Sequence, residues 1–242
     1  MRTIRGFFSD ISTKTTIFNI SGEYYNYFKN VLRLKKSDLI ELFNNTDSLQ
    51  YKTKIIAIDN KNITLEVIDK KHISNENNYI TNLYQAIIKS ENFELVIQKA
   101  TELGVNNIYP IITEFTNHKF DKNGFDKKLE RWHKIAIAGS EQCGRVFIPK
   151  IHTPIDINDL QMPQNDLNLV LCPYTQAKQD FVQKVKSSTN FNIFIGPEGG
   201  FSDKEMSKFH SNNFYTINLG KRILKAETAP INILSIINFI KQ

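Results

Sequence analysis

Cysteine is scarce in this chain: 242 residues hold only Cys143 and Cys172. Neither forms a CxxC pair or a Cys/His ligand set, which argues against a disulfide framework and a structural zinc site. Long hydrophobic runs are missing too, and no apolar stretch approaches the roughly 20 residues a membrane helix needs. Met1, Arg2, Thr3, Ile4 and Arg5 lack the apolar core of a secretory signal. The expectation is therefore a cytoplasmic protein with no metal and no membrane partner. Phosphate-binding signatures are absent as well: there is no GxxxxGK[ST] and no GxGxxG. Nor is there an internal repeat.

What is present is ordinary globular material, 40% hydrophobic and 23% charged, long enough for one large domain or two smaller ones. The net charge of +6 favours polyanionic partners, weakly and without specificity.

The hydrophobic pattern changes part-way along. Residues 1–70 read as mostly β. The stretches 39–43, 50–58 and 62–68 are strand candidates; Ile63, Leu65 and Val67 share one face against Thr64 and Glu66. One helix is predicted over 22–33, with Tyr24, Tyr27, Phe28, Val31 and Leu32 on a stripe. This is the pattern of a small barrel with a helix. Residues 71–78 are polar and unpatterned and read as a linker. From 79 onward strands and helices alternate. Strands are expected over 79–88, 107–112, 167–171, 191–195 and 214–219. Helices are expected over 91–103, 126–140 and 176–186 and at the C-terminus. Gly104 suits the residue just past a helix end. Alternation of this kind implies an α/β domain over 79–242, with a mostly parallel sheet covered by helices on both faces.

Two strand-to-helix turns carry the chemistry. The first is Gly196-Pro197-Glu198-Gly199-Gly200-Phe201-Ser202. Its glycines allow close backbone approach to a ligand, and Ser202 with Glu205 has capping-box spacing. The second runs from Leu219-Gly220 through Lys221, Arg222, Ile223, Leu224 and Lys225 to Glu227 and Thr228. Thr228 is a candidate N-cap for the last helix, whose Ile231, Ile233, Leu234, Ile236, Ile237 and Phe239 make it apolar enough to be buried in a core or a subunit interface. Glycine-bearing, charged turns at strand ends make a small-molecule site. Spacing alone does not name the ligand, and a structural turn with solvated charges would have the same spacing.

The motif order does more. GPEGGFS followed by LG-x-RIL-x-x-ETA resembles the RsmE family, the bacterial small-subunit rRNA uridine N3-methyltransferases of the SPOUT superfamily. Lys99-Ala100-Thr101-Glu102-Leu103-Gly104-Val105 matches a family helix. So do Arg131-Trp132-x-Lys134-Ile135-Ala136 and the corner Glu141-Gln142-Cys143-Gly144-Arg145. Val31-Leu32-Arg33-Leu34 and Leu39-Ile40-Glu41-Leu42-Phe43 match the N-terminal domain, so the likeness covers nearly the whole chain. Lys225 departs from the pattern where arginine is common, and tyrosines 24, 25 and 27 stand where histidines are frequent.

The resemblance implies a PUA-like RNA-binding domain over 1–70 and a SPOUT methyltransferase domain over 79–242 with a C-terminal trefoil knot. It implies S-adenosylmethionine as cofactor, small-subunit 16S rRNA as partner and substrate, and a homodimer. The product would be 3-methyluridine, made on an assembled or nearly assembled 30S subunit. The cofactor residues would be Leu171, Pro173, Ile195, Gly196, Pro197, Glu198, Gly199, Leu219, Gly220, Ile223 and Leu224. The catalytic candidates are Arg222, Glu198 and Glu227. RNA contacts are expected at Arg2, Arg5, Arg33, Lys35, Lys36 and Arg145. Two other readings remain: a SPOUT methyltransferase for a different RNA site, and a non-catalytic RNA-binding assembly factor.

Overall fold

A computed structural model describes residues 4–116, 125–164, 166–175 and 180–242. The chain divides into two units, Met1–Glu76 with Ser140–Ile148, and Asn77–Gly139 with Pro149–Gln242.

The first unit is built on a five-stranded sheet of β1 (Arg5–Phe7), β2 (Ile17–Ile20), β3 (Leu39–Phe43), β4 (Leu49–Ile58) and β5 (Ile63–His72), in the order β1-β3-β4-β5-β2. Strand β4 shows why one face is buried. Tyr51, Thr53 and Ile55 point inward and Lys52 and Lys54 outward, the alternation of a sheet that packs on one side only. Lys52 lies opposite Asp69 and Lys54 opposite Glu66, so the outer face carries cross-strand charge pairs. The inner face closes over Ile20, Phe28, Ile40, Leu42 and Ile63. Strand β5 continues to His72, past residue 70. The expected helix over 22–33 is shorter: α1 (Gly22–Asn26) passes into one π-helical turn, Tyr27–Val31. Arg33 and Ser37, with φ of 55° and 79°, lie in the left-handed region, where a helix cannot continue.

The second unit alternates as expected. It contains β6 (Ile80–Ala86), α2 (Ser90–Glu102), β7 (Asn107–Ile112), α3 (Phe125–Cys143), β8 (Lys150–Ile151), β9 (Ile155–Asp156), β10 (Leu167–Leu171), α4 (Phe181–Ser187), β11 (Asn190–Ile195), α5 (Asp203–Ser211), β12 (Tyr215–Ile217) and α6 (Thr228–Lys241). The last turn of α3 falls within the residues of the first unit. The sheet order is β12-β10-β11-β6-β7-β8, with β9 also on β7. Every pairing is parallel, so all the strands end on the same edge. Residues 176–179 of the helix expected over 176–186 lie outside the described residues.

Register is fixed by two side-chain ladders on one face. Asn107, Asn82, Asn192 and Asn168 are directly opposed across four strands. The amide of Asn107 donates to Asn82 Oδ1, that of Asn82 to Asn192 Oδ1, and that of Asn192 to Asn168 Oδ1, at 2.8, 2.9 and 2.8 Å. Two residues further along, Phe194, Tyr84, Tyr109 and His152 stack at 4.2, 4.4 and 3.9 Å between ring centroids. A slip of one residue would break both ladders at once.

Helix α6 buries Ile233, Leu234 and Ile237 and packs against α2, α4 and β11. Its other side borders an open groove of about 410 Å³, lined by Thr228, Ile231, Asn232, Ser235, Ile236 and Phe239.

Candidate functional site

Strands β10, β11 and β12 are neighbours, and they end together. Leu171 is opposite Ile217, and Val170 is opposite both Phe194 and Thr216. The loops that leave these ends, 172–175, 196–202 and 218–227, therefore share one edge of the sheet, the location where open α/β sheets bind ligands.

Asn218 joins two of these loops. Its amide donates to Pro173 O at 2.7 Å and Thr175 O at 3.1 Å, and its Oδ1 accepts Gly220 N–H at 2.6 Å. Gly220 has φ of 120°, a value that only glycine adopts without strain. Among the described residues, its chain neighbours apart, no heavy atom lies within 4 Å of where its Cβ would stand. Asparagine suits this role because its short amide mimics a turn of backbone, and that preference is the one sequence signal for a residue not singled out beforehand.

The 196–202 loop is held from below. Gly200 N–H donates to Pro197 O at 2.9 Å. The capping box is formed: Ser202 Oγ accepts Glu205 N–H, and Glu205 Oε2 accepts Ser202 N–H at 2.8 Å. The other carboxylate oxygen, Glu205 Oε1, accepts Glu114 N–H at 2.9 Å. That bridge to the loop after β7 carries no local sequence signal, because its two ends are 91 residues apart.

The expected cofactor residues divide by exposure. Ile195, Gly196 and Pro197 are buried; Leu171, Leu219 and Leu224 are half-buried; Pro173, Glu198, Gly199, Gly220 and Ile223 are exposed. Ile223 is 70% exposed and Tyr174, in the 172–175 loop, 84%. Arg222 is exposed. The Glu227 side chain is largely covered and faces Lys225 Nζ at 3.9 Å. Glu227 itself, with no side-chain cap bond, precedes α6. This corrects the expectation that Thr228 is the N-cap: Thr228 is already the first helical residue.

Of the expected RNA contacts, Arg33, Lys35 and Lys36 are exposed. Arg5 and Arg145 are not. Arg5 donates to Ser140 O and Arg145 O at 3.0 and 3.1 Å, and burial pulls its pKa below the usual arginine value. Arg145 pairs with Glu76 at 2.7 Å and is 5% exposed. Both guanidiniums are buried and bonded within the first unit. Arg2 lies outside the described residues. Beside Arg5, Glu141 Oε1 accepts Tyr24 O–H at 2.7 Å and Phe7 N–H at 3.0 Å. Desolvation raises its pKa against the lowering effect of those bonds.

Among the described residues no group of three or more His, Cys, Asp or Glu is placed to hold a metal ion. Nor, among these residues, is any helix long and apolar enough to cross a membrane.

An RNA methyltransferase domain model matches residues 75–238 and an RNA methyltransferase PUA domain model matches residues 20–68. Ribosomal RNA small subunit methyltransferase E of Buchnera aphidicola subsp. Schizaphis graminum is 37% identical over 89% of this chain and 87% of its own length. The chain belongs to the ribosomal RNA small subunit methyltransferase E family. The namesake from Mesomycoplasma hyopneumoniae is 36% identical over 90% of this chain and 92% of its own. In three dimensions the chain is similar to a Legionella pneumophila protein described as a methyltransferase with SAM bound. The TM-score is 0.88 at 32% identity, over 98% of this chain and 97% of that one. The family's methyltransferase domain model thus covers all three loops, and its PUA model covers Arg33, Lys35 and Lys36.

Proposed function

We propose that this chain transfers a methyl group from S-adenosylmethionine to N3 of a uridine in small-subunit 16S rRNA, in the cytoplasm, on an assembled or nearly assembled subunit. The observation that carries the reading is the convergence of the 172–175, 196–202 and 218–227 loops on one sheet edge, within a chain of this family. We propose further that these loops are drawn through one another as a trefoil knot. In support, β12 pairs with β10 on the side away from β11, and α6 then returns to pack on β11.

The residues fit the cofactor. The walls would be backbone, Ile195, Leu219, Ile223 and Leu224, and no described residue beyond its chain neighbours crowds the Cβ position of Gly220. Such walls suit an adenine edge read by main-chain groups and the methylene part of the methionyl arm. The cofactor supplies an electrophilic methyl on a sulfonium.

The rest is the work of the chain's own residues. Uracil N3 carries a weakly acidic proton, and losing it spreads charge onto O2 and O4. Arg222 holds a fixed cation to receive that charge, and it cannot act as the base. Glu198 and Glu227 are the carboxylates of the loops. One of them takes the N3 proton or orients Arg222, and Glu227, paired with Lys225, suits the orienting role. The target base leaves its stack to reach the loops. The first unit grips the RNA backbone through Arg33, Lys35 and Lys36, so affinity falls steeply with salt.

The groove along α6 fits a second copy of the chain. Ile231, Ile236 and Phe239 line it, Phe239 is 78% exposed, and Asn232 Oδ1 is buried with no hydrogen-bond partner among the described residues. Titration calorimetry with S-adenosylmethionine tests the methyltransferase reading: saturable binding is expected, and no binding would remove it in favour of a non-catalytic RNA-binding factor.

A further inference from the structure

Phe115 is an exposed aromatic ring on a support built to hold it still. It follows β7, in the turn from Thr113 to Thr116. That turn is closed three ways: Thr116 N–H donates to Thr113 O at 3.1 Å, Thr113 N–H to Thr116 Oγ1 at 2.9 Å, and the two hydroxyls bond at 3.0 Å. Its tip is then fixed to the neighbouring loop, because Glu114 N–H donates to the buried Glu205. The stem of Phe115 packs against Gly199, where an added Cβ would come within 3.1 Å of Phe115 Cβ. The residue nevertheless stays 43% exposed.

Covering the exposed part of an apolar ring on so fixed a turn is favourable, and little ordering is lost when a flat apolar partner settles on it. The place of Phe115 says what that partner is. The three loops assigned to the cofactor leave β10, β11 and β12. Phe115 follows β7, on the opposite flank of the 196–202 loop from β10 and β12 in the strand order, so it borders the same edge and rests on that loop at Gly199. An unstacked nucleobase needs a flat apolar face to replace its lost neighbours, and an aromatic ring supplies one without regard to sequence.

We propose that Phe115 is a base-stacking residue, a platform for the extruded uracil or the nucleotide beside it. The inference rests on the methyltransferase reading above. It predicts a binding role towards RNA and none towards the cofactor.

The test compares Phe115→Ala, Phe115→Leu, Phe115→Tyr and Phe115→Trp with the unsubstituted protein. Substrates are small ribosomal subunits lacking the methyl group, and S-adenosylmethionine affinity is measured separately. Ala and Leu should raise KM for the subunit roughly 5- to 100-fold, the span that stacking of one base supports, with cofactor Kd unchanged. Tyr and Trp should restore it. In Phe115→Trp the indole should be quenched by a short uridine-containing single-stranded RNA and not by S-adenosylhomocysteine; the natural Trp132 is buried and provides a constant background. Unchanged KM in Phe115→Ala would overturn the proposal. So would a loss confined to cofactor affinity, or a loss of dimer. If the unsubstituted protein methylates nothing, the methyltransferase reading falls by itself, and the RNA quench still decides whether Phe115 stacks.

Discussion

Glu205 and Glu114 are joined across the two flanks of the proposed site: one carboxylate oxygen of Glu205 takes the backbone N–H of Glu114 while the other takes that of Ser202. A single buried side chain therefore sets both the start of α5 and the turn that carries Phe115. Glu205→Ala strands two backbone donors and removes two charge-assisted bonds. It should cost about 2–4 kcal/mol. Glu205→Gln, which keeps one acceptor, should cost about half of that. Urea unfolding of the two variants checks the order; equal midpoints would show that the bridge is idle.

Arg222 is expected to separate binding from turnover. Arg222→Ala should leave S-adenosylmethionine affinity within about twofold and lower kcat by about 100- to 1000-fold, the scale of losing one stabilising donor at a developing anion. Arg222→Lys should fall between, because it keeps the charge and loses the fork. Single-turnover kinetics with saturating cofactor is the measurement, and wild-type turnover in Arg222→Ala would remove its catalytic assignment.

These two cases show what the sequence made legible. The two glycine-bearing turns after β11 and β12 were visible because their signal is local: glycines, charges and a strand end within a few residues. The Ser202–Glu205 capping box was visible for the same reason. The bond from Glu205 to Glu114 spans 91 positions and has no local trace, and Phe115 looks like any core aromatic until its exposure is known. Periodicity gave the alternation of the second unit but not the order in which the strands lie. It also overran the first helix, because the left-handed residues at 33 and 37 interrupt a pattern that apolar spacing continues. Arg5 looked like a surface cation and Arg145 like either an RNA contact or an ion-pair partner, since their acceptors, main-chain oxygens and Glu76, lie distant in sequence.

His152 gives the second unit a pH dependence with a definite sign. Desolvation, and then the charge of Lys150, lower its pKa in the fold from the ordinary value of about 6.5. The unfolded chain therefore binds the proton more tightly. The contribution of His152 is complete above about pH 6.5 and is lost as pH falls through the lowered folded value. His152 also holds the end of both ladders, stacking on Tyr109 and bonding Asn107 at 3.2 Å. Unfolding midpoints between pH 7.5 and pH 5 should drop more in the natural protein than in His152→Gln. Parallel profiles would contradict this.

Phe239→Asp places a charge in the groove along α6. A protein that pairs through this groove should shift from dimer to monomer on light scattering, with little change in unfolding midpoint, since Phe239 is exposed in the single chain. A dimer that survives the change would place the interface elsewhere.

The central claim is the identity of the methylated atom. Small subunits that lack the modification would be incubated with the protein and S-adenosylmethionine carrying a labelled methyl group, and the 16S rRNA digested and sequenced by mass spectrometry. One methyl group per subunit, on N3 of a single uridine, is the predicted result. Label on another base or another RNA, or no transfer to any RNA by a protein that binds the cofactor, would contradict it.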